Sequence, residues 1–394
     1  MKGLPKVQNS ISGILIIGVL VAGCSARKNG DLEPLESLGA GEGQLNIIAW
    51  DGYMERGATD ENFDWVTEFE RTTGCDVQVE TASSSDEMVA LLSQGEYDLV
   101  TASSDAATRL IANGSLQPIN VDLLPSWDMV DTRFKESSWH TVKGIHYGVP
   151  FLWTANRLIY DNSVFTNPPQ SVGFTFFEQQ LPDELSNKGR LQAYEGAMAI
   201  ADAALYLMQT RPELEIRNPY ELNRVQFGEV INLLRGQREL LSGYWADASD
   251  QVESFLQDDN AIAIAWPYQA QVLERMGNQV ESLLPPEKIT GRADTFMMHS
   301  QAQHPNCSYL WMEHILNPRV QGDAAAWTGS NPSVIGACEA SEFLGDAGCE
   351  QNGYFRYEDV YFWKTPVENC GDGRLDCVPY SDWVTAYISL MGGQ

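Results

Sequence analysis

Basic residues are scarce in this 394-residue chain: 25 Lys and Arg face 54 Asp and Glu, for a formal net charge of −29. Such a surface repels nucleic acid and acidic membranes, which argues against a nucleic-acid binder. Catalytic signatures are lacking as well. There is no GxSxG elbow, no phosphate-binding P-loop, no GxGxxG after a strand and no HExxH set. No CxxC pair offers a zinc site. His299, His304 and His314 read as surface or loop residues. These absences point to a chain with no catalytic set, no metal and no cofactor, and so to a protein that is not an enzyme. One enzymatic reading stays open, an exported hydrolase with two facing carboxylates, because acids this abundant can supply such a pair. No internal repeat is present. Past the first two dozen residues, no run approaches the length of a membrane span.

The front end is an address. Lys2 and Lys6 make a basic start, Ile11 to Ala22 an apolar stretch, and the run closes on Leu20-Val21-Ala22-Gly23-Cys24. Small residues just before a cysteine resemble the bacterial lipobox. Residues 1–23 are therefore expected to be a lipoprotein signal peptide. Cys24 becomes the lipidated N-terminus, held by two or three acyl chains, and residues 24–44, rich in Gly, Glu and Ser, form a tether. This places the protein outside the cytoplasm, in the periplasm or at the cell surface. Six cysteines remain, an even number that suits disulfides in an exported chain. Short loops favour Cys338 with Cys349 and Cys370 with Cys377, leaving Cys75 with Cys307.

The fold begins at Leu45–Tyr53, where Leu45, Ile47 and Ile48 make a buried strand ending at Gly52. A helix is expected from an N-cap at Asp60 to Gly74. It is followed by a strand 76–81 with Val77 and Val79 inward, a helix capped by Ser84 or Ser85, a strand 97–101 and a helix 105–113 closed by Gly114. This β, α, β, α, β, α order predicts an α/β fold with a largely parallel sheet. Residues 147–160 read as one strand leaving the first domain. Residues 167–186 read as loop. Helices are expected over 194–209, from Pro219 or Glu221 to Leu241, over 251–256 and over 307–316. Strands are expected over 261–266 and 292–298, the second a return crossing.

Ligands of open α/β sheets bind at the carboxyl ends of strands. Trp50 and Tyr53 sit at such an end, as do Trp266 and Tyr268 after the strand 261–266. Ser83, Ser84 and Asp86 follow one strand; Ser103, Ser104 and Asp105 follow another. Trp153 lies on the crossing. Rings there offer flat faces to an organic cation. They fit equally as core, and the hydroxyls and acids fit equally as helix caps.

The lipobox, the tether, the W-x-x-Y of Trp50 and Tyr53, YDLV, YGVP and AIAIAW, at these distances, resemble ABC-transporter substrate-binding proteins of the spermidine/putrescine-binding family. TTGCDVQVETASSSDEMVALL, TGRADTFM and FWKTPVENCGDGRLDC resemble one branch of it. The resemblance implies a two-lobed periplasmic-binding-protein fold of type II, with ligand in the cleft between lobes. The expected division is 45–150 for lobe 1, 151–290 for lobe 2, 291–337 for the return to lobe 1 and 338–394 for the rest of lobe 2. It implies a monomer that captures a polyamine such as putrescine or spermidine and delivers it to ABC permease subunits. Another small solute, such as an amino-acid derivative, is the alternative. Carried over by position, Trp50, Tyr53 and Trp266 match family aromatics and Asp105 stands where one ammonium would be held. The second-lobe acids of the family are represented only by Glu195. Its Trp-x-Asp falls on Asp294-Thr295-Phe296, acid and aromatic exchanged, and a family glutamine falls near Lys364, a cation that opposes a cationic ligand.

Overall fold

The computed structural model describes residues 32–165, 167–181, 186–257, 260–277 and 279–392. The leader and Cys24 lie outside the described residues. The chain runs β1 (Gln44–Ala49), α1 (Val66–Thr73), β2 (Asp76–Thr81), α2 (Ser85–Gln94), β3 (Leu99–Ser103), α3 (Ser104–Asn113), a short α4 (Thr132–Lys135), the small hairpin β4 (Thr141–Val142) and β5 (Ile145–His146), and β6 (Gly148–Ala155). The second lobe holds β7 (Arg157–Asp161), β8 (Leu191–Tyr194), α5 (Ala199–Thr210), α6 (Arg224–Arg238), β9 (Leu241–Trp245), α7 (Ala248–Gln257), β10 (Ile262–Ala265), α8 (Pro267–Arg275) and β11 (Val280–Leu283). Then β12 (Ile289–Met298) returns, followed by α9 (Pro305–Ile315), α10 (Pro318–Thr328), β13 (Asn331–Pro332), α11 (Ala337–Ala340), α12 (Gly345–Asn352), β14 (Val360–Phe362) and α13 (Tyr380–Gly392).

Two sheets result. The first has the order β13-β6-β12-β3-β1-β2, with β14 added beside β12; the second has the order β11-β7-β10-β8-β9. In each, the strands of the βα units are parallel; β12 runs antiparallel to β3 and to β6 in the first, and β7 runs antiparallel to β10 in the second. Leu45, Ile47 and Ile48 are fully buried because β1 lies inside the first sheet. β2 is the edge, so Val77 is buried but Val79 is exposed, contrary to the expected inward pair.

Other expectations shift by local chemistry. Asp60 does not cap α1: its carboxylate accepts the Asn62 N–H in a turn, and Asp64 accepts the Thr67 N–H instead. Gly74 ends the helix in the left-handed conformation, φ 74°. The helix expected from Tyr194 starts only at Ala199. Leu191–Tyr194 is drawn into the second sheet between β9 and β10, and pairing there overrides a helical pattern. Leu241 likewise opens a strand and does not close a helix.

The crossings lie side by side. Ala155 pairs with Gly291, and Gly291 pairs with Phe362, so three strand ends pass together from one lobe to the other. A Cβ on Gly291 would fall 2.0 Å from the Thr154 carbonyl oxygen, an approach that only glycine permits. The passage into the second lobe thus falls at Asn156, later than the expected residue 150. Residues 338–362 belong with the first lobe and not the second: β14 joins its sheet, and the Ser341 hydroxyl bonds Asp323 of α10 at 2.6 Å. Only after Trp363 does the chain join lobe 2, where Trp383 of α13 packs on Phe227 of α6.

Beside the crossings, Asn156 donates to the Thr290 hydroxyl at 2.9 Å, and that hydroxyl donates to the Asp202 carboxylate. Burial pushes Asp202 up to about 7. Cys75 is bonded to Cys307, Cys338 to Cys349 and Cys370 to Cys377, the pairing expected from loop lengths. No helix among the described residues is long and apolar enough to cross a membrane.

Candidate functional site

The carboxyl ends of β1 and β10 meet where the lobes touch. β1 delivers Trp50, whose backbone N–H donates to the Thr101 hydroxyl at 3.2 Å. The turn that follows needs Gly52 at φ 77°, and a Cβ there would sit 2.6 Å from the Tyr268 ring of the opposite lobe. β10 delivers Trp266, and Pro267 starts α8 directly behind it. A narrow cavity between the lobes is lined by Trp50, Asp51, Ser83, Trp266, Tyr268 and Arg292, with room for about one water molecule.

Arg292 comes from β12, every residue of which is buried. Its Cζ lies 4.2 Å from the Trp50 ring centroid and 4.3 Å from that of Trp266. The strand's period of two places Asp294 on the same face. Arg292 Nε is 3.3 Å from Asp294 Oδ2, which also accepts the Tyr53 hydroxyl. Burial works against the Arg292 charge, but Asp294, Tyr53 and Tyr194 together outweigh it and hold the guanidinium above its ordinary value. Burial pushes the Asp294 carboxyl up, and Arg292 offsets part of this. Around this pair the rings continue: Trp245 is 4.9 Å and Tyr194 5.5 Å from Trp266, and Trp363 stacks on Tyr194 at 5.9 Å.

Several buried polar atoms in this cluster have no hydrogen-bond partner among the described residues: Nε and Nη1 of Arg292, the indole N–H groups of Trp50, Trp245 and Trp363, and Oδ1 of Asp294. The Trp50 N–H lies toward Asp294 without reaching good geometry. At the cavity mouth, burial raises the Asp51 carboxyl, and the like charge of Asp247 on the other lobe adds to it. Burial and the Asp51 and Glu55 charges push Tyr268 up to about 12.

Asp105 is built differently. It is buried, accepts the Ser103 hydroxyl at 2.7 Å and the Ser85 hydroxyl at 3.0 Å, and pairs with Arg109 at 3.3 Å. Arg109 also pairs with Asp86, which the Tyr380 hydroxyl of α13 reaches at 3.3 Å across the lobes.

The other expected site residues are dispersed. Ser84 is spent capping α2, its hydroxyl accepting the Glu87 N–H at 3.1 Å. Trp153 is core, packed on Tyr357 at 5.5 Å and donating to the Pro332 carbonyl, and so does not floor the cleft. Phe296 is core, packed on Phe151 at 5.1 Å. The residue that shares Asp294's face beside the rings is Arg292, which the match on Asp294-Thr295-Phe296 had left out. Glu195 is exposed on the turn after β8. Lys364 is exposed and bonded to Glu221 at 2.8 Å, so its charge is answered away from the ring cluster. Sequence reading passed over Arg292, Tyr194 and Trp245. The available signal for Arg292 was an arginine two residues before an aspartate at the head of an apolar strand.

Residues 64–345 match the family model described as bacterial extracellular solute-binding protein. A putrescine/agmatine-binding protein of Pseudomonas aeruginosa is 25% identical over 276 residues, 66% of this chain and 72% of the relative. The putrescine-binding periplasmic protein PotF of Escherichia coli is 21% identical over 298 residues, 72% of this chain and 76% of the relative. Among solved structures, a putative spermidine/putrescine ABC transporter protein of Listeria monocytogenes superposes with a TM-score of 0.71 at 15% identity, covering 89% of this chain and all of that one. A GABA receptor superposes with a TM-score of 0.63 at 15% identity, covering 88% of this chain and 97% of that one. At such identities the superpositions establish the fold, a two-lobed periplasmic-binding-protein architecture.

Proposed function

The chain belongs to the bacterial extracellular solute-binding proteins, and from that premise we propose that it captures a small organic amine between its lobes and hands it to the permease of an ABC importer. Members of this family are binding proteins of ABC transporters and not enzymes. The observation that carries the reading is the cavity where the lobes meet, walled by Trp50, Trp266 and Tyr268 and bordered by Asp51. Ring faces attract a desolvated ammonium, and carboxylates pair with it. The polyamines bound by the relatives are the first ligand class to test. The amino-acid-derivative reading is favoured by Arg292, a resident cation beside the same rings. Hinge motion at the three crossings opens and closes the cleft. We place the protein in the periplasm or at the cell surface, anchored as a monomer through Cys24.

The test is titration of the purified protein with putrescine, spermidine and amino acids, read by tryptophan fluorescence and thermal shift. A saturable response to an amine, weakened in Trp50→Ala, is expected. A response only to compounds without an amine group would overturn the reading.

A further inference from the structure

Aromatic walls between two lobes ordinarily leave their faces to a cation on the ligand. Here Arg292 already lies against both Trp50 and Trp266, so a ligand ammonium on those faces would meet a like charge in a buried setting. The guanidinium is fixed: it is 4% exposed, clamped by two rings and held on its Nε side by Asp294. It also lines the cavity, and its Nη1 has no hydrogen-bond partner among the described residues. With the Trp50 N–H set against Asp294 Oδ1 and Arg292 Nε against Oδ2, the buried donors that remain in the cluster are Nη1 of Arg292 and the indole N–H groups of Trp245 and Trp363. A diamine brings only more donors. A carboxylate brings acceptors, and the planar fork of arginine matches it in two parallel bonds.

We propose that Arg292 binds a ligand carboxylate, so that the solute is zwitterionic: an amino carboxylate with its acid end on Arg292 and its amine end toward Asp51 and Asp247. Asp51 lines the same cavity from one lobe, and Asp247 at the start of α7 in the other lobe is near enough for its charge to act on Asp51, so an ammonium between them also relieves their repulsion and ties the lobes. This rests on the reading of the cleft as a site for a small organic amine and names the class within it.

Calorimetry on the purified full chain tests it. Amino carboxylates of three to six carbons, 5-aminopentanoate among them, are compared with diamines of matching length, 1,5-diaminopentane among them. At least one amino carboxylate is expected to bind tenfold or more tighter than its matched diamine. Arg292→Lys, its fold checked by circular dichroism, is expected to lose at least tenfold for the amino carboxylate and less than threefold for the diamine. Tighter binding of a diamine to the wild type would overturn the carboxylate assignment while leaving the capture of an amine intact. Binding of no amine of either class, with a neutral or purely anionic compound bound instead, would overturn both. The wild-type comparison decides the matter even if the variant does not fold.

Discussion

Two ion pairs built on buried aspartates lie side by side on the first lobe, where Asp294 is in register with Ser103, and they are finished to different degrees. Asp105 has two serine hydroxyls and Arg109, and Arg109 has a second acid in Asp86. Asp294 and Arg292 have one long ion-pair contact, one tyrosine and two indole faces, with N–H groups left over. A buried pair with its hydrogen bonds satisfied is a structural element; one left half satisfied is costly and so marks a place where another molecule completes the set. The difference assigns stability to Asp105 and recognition to Arg292, although the resemblance had given the ligand's ammonium to Asp105.

The largest loss should come on the finished side. Asp105→Ala leaves Arg109 with Asp86 alone and leaves the buried Ser85 and Ser103 hydroxyls only each other; a loss of about 2–3 kcal/mol in urea denaturation is expected, with the preference between amines and amino carboxylates unchanged. If stability holds while ligand preference shifts, the assignment is reversed. Next comes the hinge, where the half-buried Asp202 lies. Asp202 is held up at about 7, so between pH 4 and 7 the folded protein keeps a proton that the unfolded chain releases. Its contribution to stability therefore falls as pH rises through that window, by an upper bound of about 4 kcal/mol. Asp202→Asn should melt higher than the wild type at pH 8 and show no such gain at pH 4, in thermal scans across pH.

Two smaller changes separate the sides of the interface. On the Arg292 side, Gly52→Ala puts a methyl into the Tyr268 ring at a positive φ. It should cost about 1–3 kcal/mol and weaken ligand binding, since closure there is obstructed. Equal affinity in the variant would mean that these two residues part when ligand is held. On the Arg109 side, Tyr380→Phe removes a long contact to the exposed Asp86. Below about 1 kcal/mol is expected, with affinity changed less than threefold; a larger loss would show that this edge, too, closes on the ligand.

The sequence by itself determined what depends on neighbours along the chain. β1 was legible from Leu45, Ile47 and Ile48, the end of α1 from Gly74, the cap of α2 to within Ser84 or Ser85, and the disulfides from loop length. Even where it erred, at Asp60 and Tyr194, the element existed and only its boundary moved. Trp50, Trp266 and Tyr268 were legible as strand-end residues, because a strand's carboxyl end is a local property. Only the tertiary structure decided which side chains answer one another. That Arg292 would lie between Trp50 and Trp266, that Ser85 would join Asp105, and that Lys364 would turn to Glu221 depend on docking separate segments of the chain. Periodicity and capping carry no record of such contacts. The energies that select them come from burial and charge pairing between packed segments, which exist only once the sheets have formed.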